Sequence, residues 1–439
     1  MQDYTAPFKG KHITVLGLGM LGRGVGDVEF LAKCGAKVLV TDKKNGSELA
    51  ASVEKLKQCP NVQFRLGGHD PEDFRHCDMV LKAAGVRLDS QEIAVAREAG
   101  IQIAMSTALF AKYAAEAGVT IVGVTGTRGK STIAHMLYHT LKAAGKRVHL
   151  GGNVRGLSTL ALLPEVKAGD IAVLELDSWQ LQGFGELKMS PHIAILSNLM
   201  PDHQNYYKSM DEYFADKVNI FRYQKPGDVL VVGQGIEARV RHANPPVELL
   251  APSGLPADWM LKIPGEHNRQ NAALAASALL SLGLNSEQIR TSLESFEGVE
   301  GRLQLVAERN GVKIYNDNNA TTPEATVAAL RALGEGVTLI AGGSEKGLSL
   351  EELVGEIKKR VSHLIVLTHP EYKGSARCVE VLKKANVPFT GAASLEDAVK
   401  SALATRSKTI LFSPAFASFG MFKNEYERND QFVSLVSQL

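Results

Sequence analysis

The stretch Thr125-Gly126-Thr127-Arg128-Gly129-Lys130-Ser131-Thr132 constrains this chain more than any other, because it joins a β-rich run to an amphipathic helix. Ile121-Val122-Gly123-Val124 reads as a buried strand, and Ile133, Met136, Leu137, Leu141 and Ala144 follow at helical spacing up to Gly145. A glycine-rich turn at such a junction lets backbone N–H groups approach phosphate oxygens at the positive end of the helix. Lys130 can then reach the β- and γ-phosphate oxygens, and Ser131 or Thr132 can ligate Mg²⁺. The longer pattern G-x-x-x-x-G-K-[ST] wants glycine at 124, where this chain has Val124, so a shorter G-T-x-G-K-S is left. ATP is the expected ligand, since a turn that merely capped a helix would need neither the lysine nor the paired hydroxyls.

At 439 residues the chain is too long for one core, and ordinary domain size suggests about three. The first segment opens with strand 12–16, the turn Gly17-Leu18-Gly19-Met20-Leu21-Gly22, a helix ending near Gly35, and strand 37–40 followed by Asp42. This is a βαβ unit with a G-x-G-x-x-G turn and an acid after its second strand, which suits a nucleotide with a ribose and a diphosphate. The turn does not say which nucleotide, and a tight glycine turn in a non-binding domain stays open. Gly24 and Gly26 inside the helix weaken it further. Strand and helix patterns continue to about Ala115, where the phosphate-loop domain begins; past Gly301-Arg302 the alternation restarts with strands at 312–315, 337–341, 364–367 and 409–412. The expected architecture is α/β in three domains, each a mainly parallel sheet with helices. A Rossmann-like domain spans 1–115, a P-loop-type domain 116–301 and a Rossmann-like domain 302–439.

Net charge +2 gives no argument for nucleic acid or an anionic membrane, and no apolar run approaches a membrane span. Cys34, Cys59, Cys77 and Cys378 form no C-x-x-C pair, and no signal-peptide pattern is visible, so reduced thiols in a cytoplasmic protein are expected.

Glu175 stands at the end of strand 170–176, on the side of an open parallel sheet where the phosphate loop also lies, and is a good Mg²⁺ ligand with Asp177 as a possible second carboxylate. His203 follows strand 192–196 in Pro201-Asp202-His203 and enters the same crevice.

Taken in order, G-T-x-G-K-S, E-L-x-S-x-Q-L allowing for Asp177, the D-H pair, Lys217, Gly265-x-His267-Asn268-x-x-Asn271, Arg302, N-D-x-x-A-T (316–321), G-G-x-x-K (342–346) and S-P-A-x-A-S (413–418) resemble the Mur ligase family of ATP-dependent amide-bond synthetases over nearly the whole chain. The resemblance implies that the first domain holds the UDP of a muramoyl-alanine precursor, through Gly17, Gly19, Met20, Leu21, Gly22, Asp42 and Lys43 with Asn153 from the central domain. It implies ATP held by Gly126, Thr127, Gly129, Lys130, Ser131, Thr132, Asn268, Asn271, Arg302 and Asp317. Two Mg²⁺ would be held by Ser131, Glu175, His203 and Lys217, the lysine as a carbamate, because a bare ammonium would repel the metal. A surface lysine on helix 211–221 is the plainer alternative. Thr321, Lys346 and Ser418 would hold an acidic amino acid, with D-glutamate favoured, and the catalytic set would be Lys130, Glu175, His203 and Lys217 in a monomer that serves peptidoglycan precursor synthesis.

Departures from the family pattern are visible at Arg128, Asp177, Pro201, Gly301, Asn318, Asn319 and Glu425. They leave the ATP equipment intact and bear on the amino-acid pocket and the second metal. Three rivals follow: another ligase of the superfamily, an NAD-dependent oxidoreductase, and a catalytically silent relative. The oxidoreductase reading leaves Lys130, Glu175 and His203 idle.

Overall fold

The computed structural model describes residues 3–19, 22–203, 206–370 and 373–438. Three sheets carry the chain. The first has strands β1 (His12–Leu16), β2 (Lys37–Asp42), β3 (Val62–Leu66), β4 (Met79–Lys82) and β5 (Gln102–Ala104), all parallel, in the order β3-β2-β1-β4-β5. The chain builds outward from β1 on one side and then returns to β4 on the other. That reversal opens a crevice beyond the carboxyl end of β1, where the Gly17 turn lies.

The second sheet comprises β6 (Thr120–Thr125), β7 (Val148–Gly152), β8 (Ile171–Glu175), β9 (Ile193–Leu196), β10 (Val229–Val232) and β11 (Leu249–Leu250), in the order β11-β10-β9-β6-β8-β7 and again parallel. β6, β8 and β9 are buried almost throughout, which is why they read as unbroken apolar runs. Because β8 and β9 flank β6, the segments that follow all three strands emerge side by side.

The third sheet, β12 (Gln304–Arg309), β13 (Val312–Asn316), β14 (Val337–Ala341), β15 (Val361–Leu367), β16 (Thr390–Ala392) and β17 (Thr409–Phe412), has the order β12-β13-β17-β14-β15-β16. It is parallel except for the β12/β13 hairpin, whose turn at Asn310-Gly311 places both residues at positive φ, 51° and 77°. The three-domain α/β expectation holds.

The chain forms two compact units, Met1–Gly254 with Ala272–Ile289 and Leu255–Asn271 with Arg290–Leu439. The first two sheets therefore share a unit, and a continuous apolar core that includes Val28, Leu31, Phe110, Leu160, Phe184 and Leu196 runs through both. Burying each such side chain contributes roughly 1.5–3 kcal/mol. The two glycines that argued against the first helix, Arg23–Lys33, are explained here. A Cβ on Gly24 would lie 2.1 Å from the carbonyl oxygen of Leu18, and one on Gly26 would lie 2.7 Å from Cβ of Ser158. The helix gives up about 1 kcal/mol of propensity per glycine to approach the turn and the second sheet's connection closely. Ser158 Oγ, 2.6 Å from Asp27 Oδ1, seals that approach, and burial still raises the Asp27 carboxyl to about 6.

Candidate active site

The phosphate loop is shaped by glycine and clamped by its neighbour strand. Gly126 has φ 147°, and a Cβ there would sit 1.9 Å from Ser197 Oγ, so no other residue fits. Gly129, left-handed at φ 85°, ends the loop and starts the helix Lys130–Ala143. The residues after β9 then hold the loop from the side. Thr127 N donates to Asn198 O (3.1 Å), Arg128 N to Asn198 Oδ1 (2.8 Å), Ser197 Oγ to Arg128 O (2.6 Å), and Met200 N to Thr127 Oγ1 (2.9 Å). Lys130 folds back over the loop, its Nζ 3.1 Å from both Gly126 O and Thr127 O, and Ser131 and Thr132 are buried in the first helical turn.

Glu175, 4% exposed, ends β8 directly beside Val124 of β6, and its carboxylate accepts no hydrogen bond among the described residues. Asp177, considered as a second carboxylate, has a structural task. Its Oδ1 accepts from Gln180 N (2.7 Å) while Gln180 Oε1 accepts from Asp177 N (3.2 Å), a capping box on the helix Ser178–Glu186. Arg128, the other departure at this end, faces Asp202 at 3.5 Å. His203 takes a left-handed backbone (φ 52°), and its ring packs on Trp179 at 4.7 Å between centroids and on Tyr213 at 6.0 Å. Burial lowers its pKa, which favours the neutral imidazole.

Lys217 is no surface lysine. The helix Met210–Val218 carries it inward to 1% exposure, where Nζ donates to Gly126 O (2.9 Å) and lies 4.6 Å from the Tyr213 ring centre. Burial first, and the Lys130 charge second, push its pKa well below the ordinary lysine value. Ser131, Glu175 and a carbamate would be oxygen donors suited to Mg²⁺, whereas an ammonium at 217 would not, so the donor set fits the metal once Lys217 is modified. Among the described residues no three His, Cys, Asp or Glu side chains converge as a ready-made cage.

In the first sheet the turn adopts φ 89° at Gly17, 69° at Gly19 and 83° at Gly22. Met20 and Leu21 lie outside the described residues. Asp42 ties the turn together, Oδ2 accepting from Leu18 N (2.9 Å) and Oδ1 from Lys44 N (2.9 Å), with Lys43 between them. Asn153 Oδ1 accepts from Arg23 Nη1 (2.8 Å), a guanidinium that sequence reasoning passed over although it immediately follows the last glycine of the turn.

The second unit gathers the remaining residues. Asn268 Nδ2 donates to Pro264 O (2.7 Å) and Asn271 Nδ2 to Asn268 Oδ1 (3.4 Å) at the start of the helix Glu266–Ser281. Arg302 buries an Nε that finds no hydrogen-bond partner among the described residues. Asp317 accepts from Ser413 Oγ (2.8 Å) and Leu303 N (3.0 Å), yet burial raises its carboxyl to about 7. Lys346 Nζ is 3.1 Å from Thr321 Oγ1, and Ser418 is buried. The departures at 301, 318, 319 and 425 meet in one network. Arg428, fully buried on the helix Glu425–Ser437, donates from Nε to Asn318 Oδ1 (2.8 Å), from Nη2 to Asn318 O (2.8 Å) and from Nη1 to Phe416 O (3.2 Å). Asn318 Nδ2 reaches Glu425 O (2.9 Å), Asn319 N reaches Gly301 O (2.9 Å), and a Cβ on Gly301 would lie 3.1 Å from both Asn319 Nδ2 and Asn429 Oδ1.

Comparison with known proteins places these motifs. Residues 11–105 match the Mur ligase MurD-like N-terminal domain, 124–249 the Mur ligase middle domain, and 301–416 the Mur ligase glutamate ligase domain. The chain belongs to the Mur ligase family. The UDP-N-acetylmuramoylalanine–D-glutamate ligase of Roseiflexus sp. is 35% identical, with 97% of this chain and 98% of the relative covered. The enzyme of the same name from Clostridium kluyveri is 33% identical over 100% and 99%. The fold is shared with the UDP-N-acetylmuramate-alanine ligase of Thermotoga maritima (TM-score 0.62, 18% identity, 98% and 99% covered). It is shared also with a MurF structure from Acinetobacter baumannii (TM-score 0.60, 15% identity, 99% and 92% covered). Membership makes this Mur ligase an ATP- and Mg²⁺-dependent amide-bond-forming enzyme. No helix among the described residues is long and apolar enough to cross a membrane.

Proposed function

We propose that this chain joins D-glutamate to the carboxyl group of UDP-N-acetylmuramoyl-L-alanine at the expense of ATP, a step in making peptidoglycan precursor. The observation that carries the reading is the gathering of Lys130, Glu175, His203 and Lys217 at the phosphate-loop end of one sheet, in a chain related over its full length to enzymes of that name. The residues act as a cytoplasmic monomer with two Mg²⁺, in three functional domains divided near residues 115 and 301.

Charge dictates the mechanism. The substrate carboxylate must attack the ATP γ-phosphorus, so two anions meet, and ADP leaves from the opposite side. Lys130 swings from the Gly126 and Thr127 carbonyls to the transferred phosphoryl group, and the Arg302 guanidinium, whose buried Nε has no partner among the described residues, takes a phosphate oxygen. Ser131, Glu175, His203 and carbamylated Lys217 would hold Mg²⁺, which would supply positive charge against the phosphate oxygens. The neutral amine of the amino acid, its carboxylates fixed by Lys346, Thr321 and Ser418, then attacks the acyl carbon. The tetrahedral adduct collapses, phosphate departs with the bonding pair, and the nitrogen loses its proton to form the amide. Asn268 and Asn271 hold the adenine and Asp317 the ribose region, while Gly17, Gly19, Gly22, Asp42, Lys43 and Asn153 hold the UDP.

The first-domain assignment separates this ligase from a dehydrogenase by titration. Calorimetry is expected to show saturable binding of UDP-muramoyl-alanine and negligible heat with NAD. Tight NAD binding without UDP-sugar binding would overturn the assignment.

A further inference from the structure

We propose that Arg377 is a specificity-determining residue, reading the side-chain carboxylate of the incoming acidic amino acid while Lys346 and Thr321 hold the other; this rests on the amino-acid assignment above. The helix Lys373–Lys384 carries Arg377 to a cleft whose walls also include Glu345, Lys346, Pro323, Leu348 and Phe416. Two fixed cations thus border one cleft of about 10 Å³, room for a single water, at which the Arg377 side chain stays 38% exposed. An α-amino diacid brings two carboxylates, and a single ammonium with two hydroxyls leaves one of them without a charged partner.

The hydrogen bonding of Arg377 shows which edge is available. Its Nη1 alone makes both contacts, to the Glu345 carboxylate and to Leu348 O (3.0 Å). The Nε and Nη2 donors, which form the parallel fork that matches a carboxylate, make no hydrogen bond among the described residues, and the side chain is 38% exposed. A guanidinium presents five donors in a fixed plane, so Glu345 can occupy one edge without closing the other.

The backbone fixes this placement. A Cβ on Gly374 would fall 2.7 Å from Gly343 O and 2.8 Å from Glu345 N, so the helix start rests directly on the G-G-x-x-K loop that carries Lys346. Gly343 N donates to Ser375 Oγ at 2.9 Å and Ser375 N to Gly343 O at 3.1 Å, which locks the two segments in register. Glu345 lowers the positive potential of the cleft while it is empty and repels a second carboxylate entering it.

Two variants with opposite expected signs test the idea in steady-state phosphate release by the full chain. Arg377→Ala is expected to raise KM for D-glutamate about 10- to 100-fold, the loss of a charge-assisted contact. KM for ATP and for UDP-muramoyl-alanine should stay within about twofold, and turnover of D-glutamine, which lacks the distal charge, should be unmoved. Arg377→Lys should fall between. Glu345→Gln is expected to lower KM for D-glutamate, because it removes the competing carboxylate and keeps the shape. If both Arg377→Ala and Glu345→Gln raise that KM alike, or if all three substrates suffer equally, the pair is only a structural brace and the proposal is overturned. A wild-type protein that uses no acidic amino acid overturns the parent assignment as well, whereas one that uses D-glutamate with Arg377 indifferent overturns this proposal alone.

Discussion

Replacing Lys130 by alanine is expected to lower kcat by about 10²-fold or more, the usual cost of deleting one preorganised charge at a transferring phosphoryl group. The fold should survive. Lys130 Nζ contacts two carbonyl oxygens of its own loop, and those oxygens can turn to water when the ammonium is gone. The loop itself is held by backbone geometry at Gly126 and Gly129 and by Ser197, Asn198 and Met200, none of which depends on the lysine. Circular dichroism should therefore be unchanged while single-turnover phosphate release collapses. A variant with near-normal turnover would take Lys130 out of the mechanism.

Lys217→Ala is expected to be at least as damaging, on the order of 10²-fold or more, since even groups that only orient a metal ligand cost about 10- to 100-fold. The reason is electrostatic. An ammonium 2.9 Å from Gly126 O, buried to 1% exposure and near Lys130, is a poor neighbour for a metal and a triphosphate. Burial and that neighbouring charge favour the neutral amine, and the neutral amine is the form that adds CO₂ and then sheds a proton to become an anionic carbamate. Activity of the wild-type protein should accordingly fall when CO₂ is stripped from the buffer. The alanine variant should recover in part with acetate, and the wild-type mass should rise by one CO₂ under gentle ionisation. Full activity in the alanine variant would rule the carbamate out.

Most of the fold was legible where burial was complete. Strands such as β1, β4, β14 and β17 stand within the expected bounds because a strand covered on both faces reads as a largely apolar run. The strands that escaped notice are β10 and the six at the sheet edges, β3, β5, β7, β11, β12 and β16. An edge strand packs on one side only; Gln304–Arg309 is half-exposed along its length and pairs antiparallel, so no apolar run announces it. The phosphate loop was legible for a different reason, since its glycines and lysine are chemically obligatory. What stayed hidden was long-range. Gly24 and Gly26 looked like flaws in a helix until Leu18 and Ser158 were seen against them. Asp177 looked like a spare metal ligand although the D-x-x-Q spacing to Gln180 already offered a capping box. The substitutions at Gly301, Asn318 and Asn319 looked unrelated until Arg428 and Asn429, more than 100 residues away in the chain, joined them.

One chain, on this reading, couples phosphoryl transfer to amide formation between a UDP-muramoyl acceptor and an acidic D-amino acid. Phosphate release, measured with ATP, Mg²⁺ and UDP-muramoyl-alanine against D- and L-glutamate, aspartate, alanine and lysine, tests it most directly. Release is expected to require both the acceptor and D-glutamate, in step with one new amide per phosphate. Release that is independent of the acceptor, or a preference for a neutral or basic amino acid, would contradict it.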